Sequence, residues 1–116
     1  MKELKPFTDN RPWGWFRDFI DNKSCTVKIL FVKKGEAFSL QKHLRRDEFW
    51  RVLKGEPEIT LGDKIIEAKP GDEFEVSRKT IHRIYSPNTD SEILEISRGK
   101  FDENDIIRIE DKYGRA

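Results

Sequence analysis

The sequence predicts an all-β fold closed as a two-sheet jelly-roll barrel, and three observations predict it. From Thr26 onward, short runs rich in β-branched and aromatic residues recur along the chain. Gly, Pro, Asn and Asp punctuate these runs at roughly 8–12-residue spacing, the pattern of a sandwich or barrel. No apolar spacing of helical period separates them. Closing about eight antiparallel strands into a double sheet also hides their edges.

The 116 residues make one domain with one core. Residues 1–25 form an extended N-terminal arm, 26–99 the barrel and 100–116 a short C-terminal tail. The expected strands are Thr26–Val32, Ala37–Gln41, Phe49–Leu53, Glu58–Leu61, Lys64–Glu67, Glu73–Val76, His82–Tyr85 and Ile93–Ser97. Turns fall at Lys34-Gly35, Lys54-Gly55, Gly62-Asp63, Pro70-Gly71 and Pro87-Asn88, whose residues favour left-handed or Pro-fixed backbone. In the tail, Asp102 to Asp105 can cap a short turn, with Ile106, Ile107 and Ile109 packing back on the body.

Composition excludes several classes of function. With 23 basic against 22 acidic residues there is no broad basic face, so nucleic acid is not expected as a partner. The first ten residues lack the apolar core of a signal peptide and no apolar run is long enough to span a membrane, so the expectation is a cytoplasmic protein without membrane contact. Cys25 is the single cysteine. It closes no intramolecular disulfide and no Cys-rich zinc site, and is expected as a partly buried small residue.

The chemistry gathers around the two histidines. Gln41 and His43 are two residues apart at the end of an expected strand, so they point to one face. Glu48 opens the next strand after a turn-length segment and can return beside His43, and His82 begins a later strand. Two imidazoles, a carboxylate and an amide oxygen suit a borderline divalent ion: zinc foremost, with manganese, cobalt, iron or nickel as alternatives. Such a set supplies one negative charge, so a divalent ion leaves the site net positive and receptive to anions.

The spacing Gly35-x5-Gln41-x-His43-x4-Glu48-x6-Gly55 resembles the first half of the cupin double motif, G-x5-H-x-H-x4-E-x6-G, with Gln41 for the first histidine. Gly71-x5-Ser77-x-Lys79-x2-His82 resembles the second half more loosely, with Ser77 for Pro, Lys79 for Gly and Ser86 for the final Asn. The resemblance implies a double-stranded β-helix with Gln41, His43, Glu48 and His82 as ligands of one metal ion.

A narrower resemblance follows from Ser39-Leu40-Gln41-x-His43-x2-Arg46-x-Glu48-x-Trp50, from Arg11-Pro12-Trp13-Gly14, and from Asp105-Ile106-x-Arg108-x2-Asp111-x-Tyr113-Gly114-Arg115. These stretches are similar to the mannose-6-phosphate isomerase domain of the type II family, usually found behind a mannose-1-phosphate guanylyltransferase domain. Nothing in the chain is a Gly-rich nucleotide-binding segment, so the expectation is the isomerase half alone. That half interconverts mannose 6-phosphate and fructose 6-phosphate through an enediol. Its family pattern uses a glutamine as ligand and an arginine important to activity, which aligns with Arg46. Leu44 and Arg45 stand where the family has histidines.

The resemblance also implies a homodimer, with the arm crossing to a partner. Lys79 and Arg83 flank His82 and can reach a phosphate, while Trp50, with Trp13 and Trp15, can wall a sugar pocket; at least two of the three tryptophans are expected in the core. Arg11, Arg108, Asp111 and Arg115 are expected in ion pairs that fasten the tails. The base is unassigned among Asp47, Glu73, Glu75 and Tyr85. A binding module that has lost catalysis, and another metal-cupin reaction, stand as alternatives.

Overall fold

The computed structural model describes residues 5–100, 102, 104–111 and 114. Its strands are β1 (Phe7–Arg11), β2 (Gly14–Asp18), β3 (Thr26–Val32), β4 (Leu40–Lys42), β5 (Arg46–Lys54), β6 (Glu58–Leu61), β7 (Lys64–Glu67), β8 (Glu73–Val76), β9 (His82–Tyr85), β10 (Ser91–Gly99) and β11 (Ile107–Glu110). No helix occurs among the described residues, and none is long and apolar enough to cross a membrane. All pairings are antiparallel. A hairpin β1-β2 stands beside a four-stranded sheet ordered β3-β10-β5-β8 and a five-stranded sheet ordered β11-β4-β9-β6-β7.

Register organises the inside of the barrel into rows. In the four-stranded sheet one row runs Leu30, Ile93, Val52; the next Lys28, Glu95, Trp50, Phe74; the next Thr26, Ser97, Glu48, Val76. Because side chains alternate faces along a strand, these rows share the interior. Polarity therefore rises from an apolar floor to a polar mouth. In the facing sheet the mouth row is Arg108, Gln41, His82, Leu61, and Ile84 and Ile59 lie one step below. Val52, Ile59, Ile84 and Ile93 are almost wholly buried, each contributing roughly 1.5–3 kcal/mol by leaving water.

Five strands occupy the spans expected from sequence. β5 and β10 are longer than expected because they pair with each other from Glu92↔Lys54 to Gly99↔Arg46. β4 is shorter, and Ala37 makes only an isolated bridge to Tyr85. The N-terminal arm is not simply extended but folds as a hairpin, joined to the barrel where Arg17 pairs with Glu73 on β8.

Three expectations are corrected. Cys25 is exposed, since it precedes β3 rather than facing the core. The tail contributes β11, which pairs with β4; Ile107 and Ile109 lie on its outward side and stay exposed. Of the three tryptophans only Trp50 enters the core, because Trp13 and Trp15 sit on a hairpin with no sheet packed over them.

Candidate metal centre

His43 follows β4 directly, Glu48 lies on β5 and His82 opens β9, so three separate segments converge at the polar end of the barrel. One donor atom from each lies within 4.8 Å of the others. His43 Nε2 is 3.3 Å from Glu48 Oε2, and His82 Nε2 is 4.0 Å from Glu48 Oε1. Donors bound to one tetrahedral ion at about 2.0–2.1 Å stand roughly 3.3–3.4 Å apart. The spacing therefore suits one small ion held between the two imidazoles and the carboxylate.

The outer ring nitrogens fix the tautomers. His43 Nδ1 donates to the Asp105 carbonyl at 2.6 Å, and His82 Nδ1 to the Thr80 carbonyl at 3.0 Å. A carbonyl only accepts, so the hydrogen is on Nδ1 in both rings and Nε2 turns its lone pair inward, as a ligand requires. His82 Nε2 is buried with no hydrogen-bond partner among the described residues. Burial holds both histidines below the usual imidazole range, which keeps them neutral and ready to ligate.

Gln41 is directly opposite His82 in the β4–β9 register and so shares its face. Its Oε1 accepts a hydrogen bond from the Ser39 hydroxyl at 2.6 Å, which orients the amide and leaves the oxygen a second lone pair. The four residues thus fit a divalent ion by donor chemistry, tautomer and an otherwise unexplained buried lone pair.

Arg46 is buried inside this group. Its Nε donates to Glu48 Oε2 at 3.1 Å and its Nη2 lies 3.1 Å from His43 Nε2, while Nη1 donates to the Asp102 carbonyl at 3.1 Å. Trp50, fully buried, donates from Nε1 to Glu48 Oε1 at 3.1 Å and packs edge-on against the His82 ring. It therefore acts on the site by positioning Glu48 and His82 rather than as an exposed wall.

The other expected site residues lie elsewhere. Arg83 points to the face of β9 opposite His82, where it donates to the Phe38 carbonyl and pairs with Glu110. Lys79 is exposed; its backbone N–H donates to the His43 carbonyl at 2.6 Å, so the segment before His82 is tied to the segment after β4. Among the bases considered, Asp47 is held by Arg78, Glu73 by Arg17 and Arg51, and Glu75 is exposed. Among the described residues Arg11 pairs locally with Asp9 within the hairpin rather than with the barrel. Tyr113 and Arg115 lie outside the described residues.

Sequence reasoning missed Glu95. It is 7% exposed on the inner face of β10, opposite Trp50 on one side and Lys28 on the other, and accepts a weak hydrogen bond from Ser97 at 3.4 Å. Burial, reinforced by the Glu48 charge, pushes its carboxyl up to about 7. A carboxyl poised there can both take and return a proton near neutral pH. The signal was in the alternation Ser91, Ile93, Glu95, Ser97, which sets an acid on the face that Ile93 buries.

The family model described as "Mannose-6-phosphate isomerase C-terminal" matches residues 3–111. The chain is 34% identical over 114 residues to a mannose-1-phosphate guanylyltransferase of Sinorhizobium fredii, covering 97% of this chain and 22% of that protein. It is 35% identical over 108 residues to xanthan biosynthesis protein XanB of Xanthomonas campestris pv. campestris, covering 91% and 23%. It thus spans under a quarter of the length of these relatives. Among solved structures, an uncharacterized conserved protein with a double-stranded β-helix domain from Klebsiella pneumoniae superposes with a TM-score of 0.66 at 14% identity, over 92% of this chain and 86% of that one. With a double-stranded β-helix fold, a His-Glu-His centre and a family match across nearly its whole length, this chain belongs to the mannose-6-phosphate isomerase C-terminal family.

Proposed function

We propose that this domain is a metal-dependent aldose–ketose isomerase acting on mannose 6-phosphate and fructose 6-phosphate in the cytoplasm. The observation that carries the reading is the inward Nε2 of His82, buried and without a hydrogen-bond partner among the described residues, beside His43 and Glu48, with a raised carboxyl on the adjoining row. A divalent ion held by Gln41, His43, Glu48 and His82, zinc foremost, supplies a Lewis acid for the substrate oxygens.

The chain's own residues then carry the proton. Glu95 takes the hydrogen from C2 of the open-chain aldose as a proton, and the C–H electron pair becomes the C1–C2 double bond while charge moves to O1. The O2 proton passes to O1, Glu95 returns its proton to C1, and the ketose results with no oxidant or reductant. Arg46, a fixed cation at the same site, stabilises the negative oxygen. Trp50 and the apolar floor beneath it exclude water.

Incubating the metal-loaded chain with mannose 6-phosphate and following fructose 6-phosphate tests this reading. Folded protein that fails with zinc, manganese, cobalt, iron and nickel alike would refute it. The departure at Leu44 and Arg45, both exposed beside His43, favours a second reading, a cage that binds phosphosugar without turnover. Calorimetry showing metal-dependent binding with no isomerisation would select it.

A homodimer is part of the proposal. β3 is an edge strand whose outer face carries Val27, Ile29 and Phe31, all more than half exposed. Such an apolar edge favours pairing with a second copy, and sedimentation showing only monomer would count against it.

A further inference from the structure

The geometry points to Arg108 as the residue that holds the phosphate of the substrate, an anion-binding position distinct from the metal cage and from the lysine and arginine that flank His82. This rests on the isomerase reading for the identity of the ligand.

Three observations carry it. First, Arg108 is directly opposite Gln41 across the β11–β4 pair, and Gln41 is directly opposite His82 across β4–β9. The three side chains therefore form one row on one face, the face that His82 turns toward the candidate metal centre. Second, Arg108 Nε is buried and has no hydrogen-bond partner among the described residues. A buried donor of a charged group left unmade costs about 1–3 kcal/mol or more, so a guanidinium kept in that state needs an acceptor from outside the chain. Third, the buried and half-buried arginines nearest the centre are engaged. Arg46 is bound to Glu48 and His43, Arg78 to Asp47, and Arg83 to Phe38 and Glu110 on the far face.

Distance and charge agree. Two strand spacings of about 4.8 Å separate the backbones of Arg108 and His82 by roughly 10 Å. A hexose phosphate in its open-chain form extends roughly 8–9 Å from C1 to phosphorus, by the bond lengths of a saturated chain. A substrate whose reacting carbons lie at the metal centre thus reaches the guanidinium with its phosphate. The planar fork of an arginine takes two phosphate oxygens at once, which a lysine cannot do. With only Glu48 negative among the four ligands, a loaded centre would add positive potential to the same row of the sheet.

Calorimetry on the full metal-loaded chain tests the assignment, with mannose 6-phosphate and fructose 6-phosphate as probes and mannose and fructose as their uncharged counterparts. In Arg108→Gln the affinity for both phosphosugars is expected to fall about 10- to 100-fold, while metal stoichiometry and the weak binding of the uncharged sugars stay unchanged. Arg108→Lys should recover part of the loss, since charge returns without the fork. Inorganic phosphate should compete with the phosphosugars in the parent chain and lose that ability in Arg108→Gln. Phosphosugar binding within threefold of the parent in both variants overturns the assignment, as does an equal loss for phosphorylated and uncharged sugars. Absence of any phosphosugar binding by the parent chain overturns the isomerase reading itself, an outcome distinct from the variant result.

Discussion

Arg46 Nε donates to Glu48 Oε2 at 3.1 Å, so the chain's own guanidinium holds a carboxylate oxygen that a metal ion would claim. The same guanidinium faces the inward lone pair of His43. A cation and a divalent ion cannot share these atoms without repulsion, so metal binding and the Arg46 contacts oppose each other. Arg46→Ala is expected to bind zinc or manganese more tightly, by about tenfold or more, since a charge-assisted hydrogen bond contributes roughly 1.5–3 kcal/mol. On the proposed isomerase reading, turnover should fall about a hundredfold or more as the oxyanion loses its partner. Titration against a competing chelator measures the first effect and a coupled assay the second; weaker metal binding in the variant would contradict the opposition.

Lys79 holds a φ of 69°, left-handed backbone that a Cβ disfavours. The cupin resemblance has glycine at this position, and the structure supplies the reason: the turn must bring the Lys79 N–H onto the His43 carbonyl. A non-glycine residue there costs roughly 1–2 kcal/mol, partly offset by the greater chain entropy that glycine loses on folding. Lys79→Gly is therefore expected to raise stability by about 1 kcal/mol or less. Urea denaturation at fixed metal content should show a higher midpoint with an unchanged slope.

Why some features were readable and others not follows from where their causes lie. His43, Glu48 and His82 were legible because strand alternation and turn length are local properties, and each residue adjoins or lies in a strand whose existence, though not always its bounds, the sequence pattern marks. The roles of Trp50 and Arg83 were not. Which face of β5 or β9 looks inward is decided by how two sheets close on each other, so Trp50 became the support of Glu48 and Arg83 turned away. Arg108 read as a tail residue in an ion pair, since nothing local reveals that residues 107–110 add a strand beside β4. Glu95 was legible in principle, but one acid in an apolar strand is a weak signal on a chain with 39% charged residues.

Glu73 joins the hairpin to the barrel. Its carboxylate accepts from Arg17 at 2.8 and 2.6 Å and from Arg51 at 2.6 Å. Burial alone would raise this carboxyl, but the two guanidinium groups outweigh it and hold it below the usual range. A carboxyl lowered in the folded state contributes stability that is complete above the unfolded value near 4.5 and is lost as pH falls through the folded value. Amide exchange in β1 and β2 should accordingly accelerate in acid before the barrel opens. Glu73→Gln should show that acceleration already at neutral pH, by roughly fivefold for about 1 kcal/mol of lost pairing. Exchange in the hairpin that is insensitive to both changes would mean that other contacts hold it.

Gly99 closes the far end of β10 against Arg46, which sits inside the candidate metal centre. Its φ is +107°, and a Cβ there would stand 2.5 Å from the Arg45 carbonyl oxygen and 3.2 Å from Arg46 Cα. Both obstacles are backbone, paired in register at Gly99↔Arg46, so neither can swing aside. Gly99→Ala must therefore shift the start of β5, and Arg46 moves with it. The backbone strain alone costs about 1–3 kcal/mol. Displacement of Arg46 should relax its hold on Glu48, so metal binding is expected to tighten in the same direction as in Arg46→Ala, though by less. Combining the two substitutions separates the effects. If Gly99→Ala acts on the centre through Arg46, the double variant binds metal as Arg46→Ala does, and the two changes are not additive. Additive tightening would show that the strain reaches the ligands by another route.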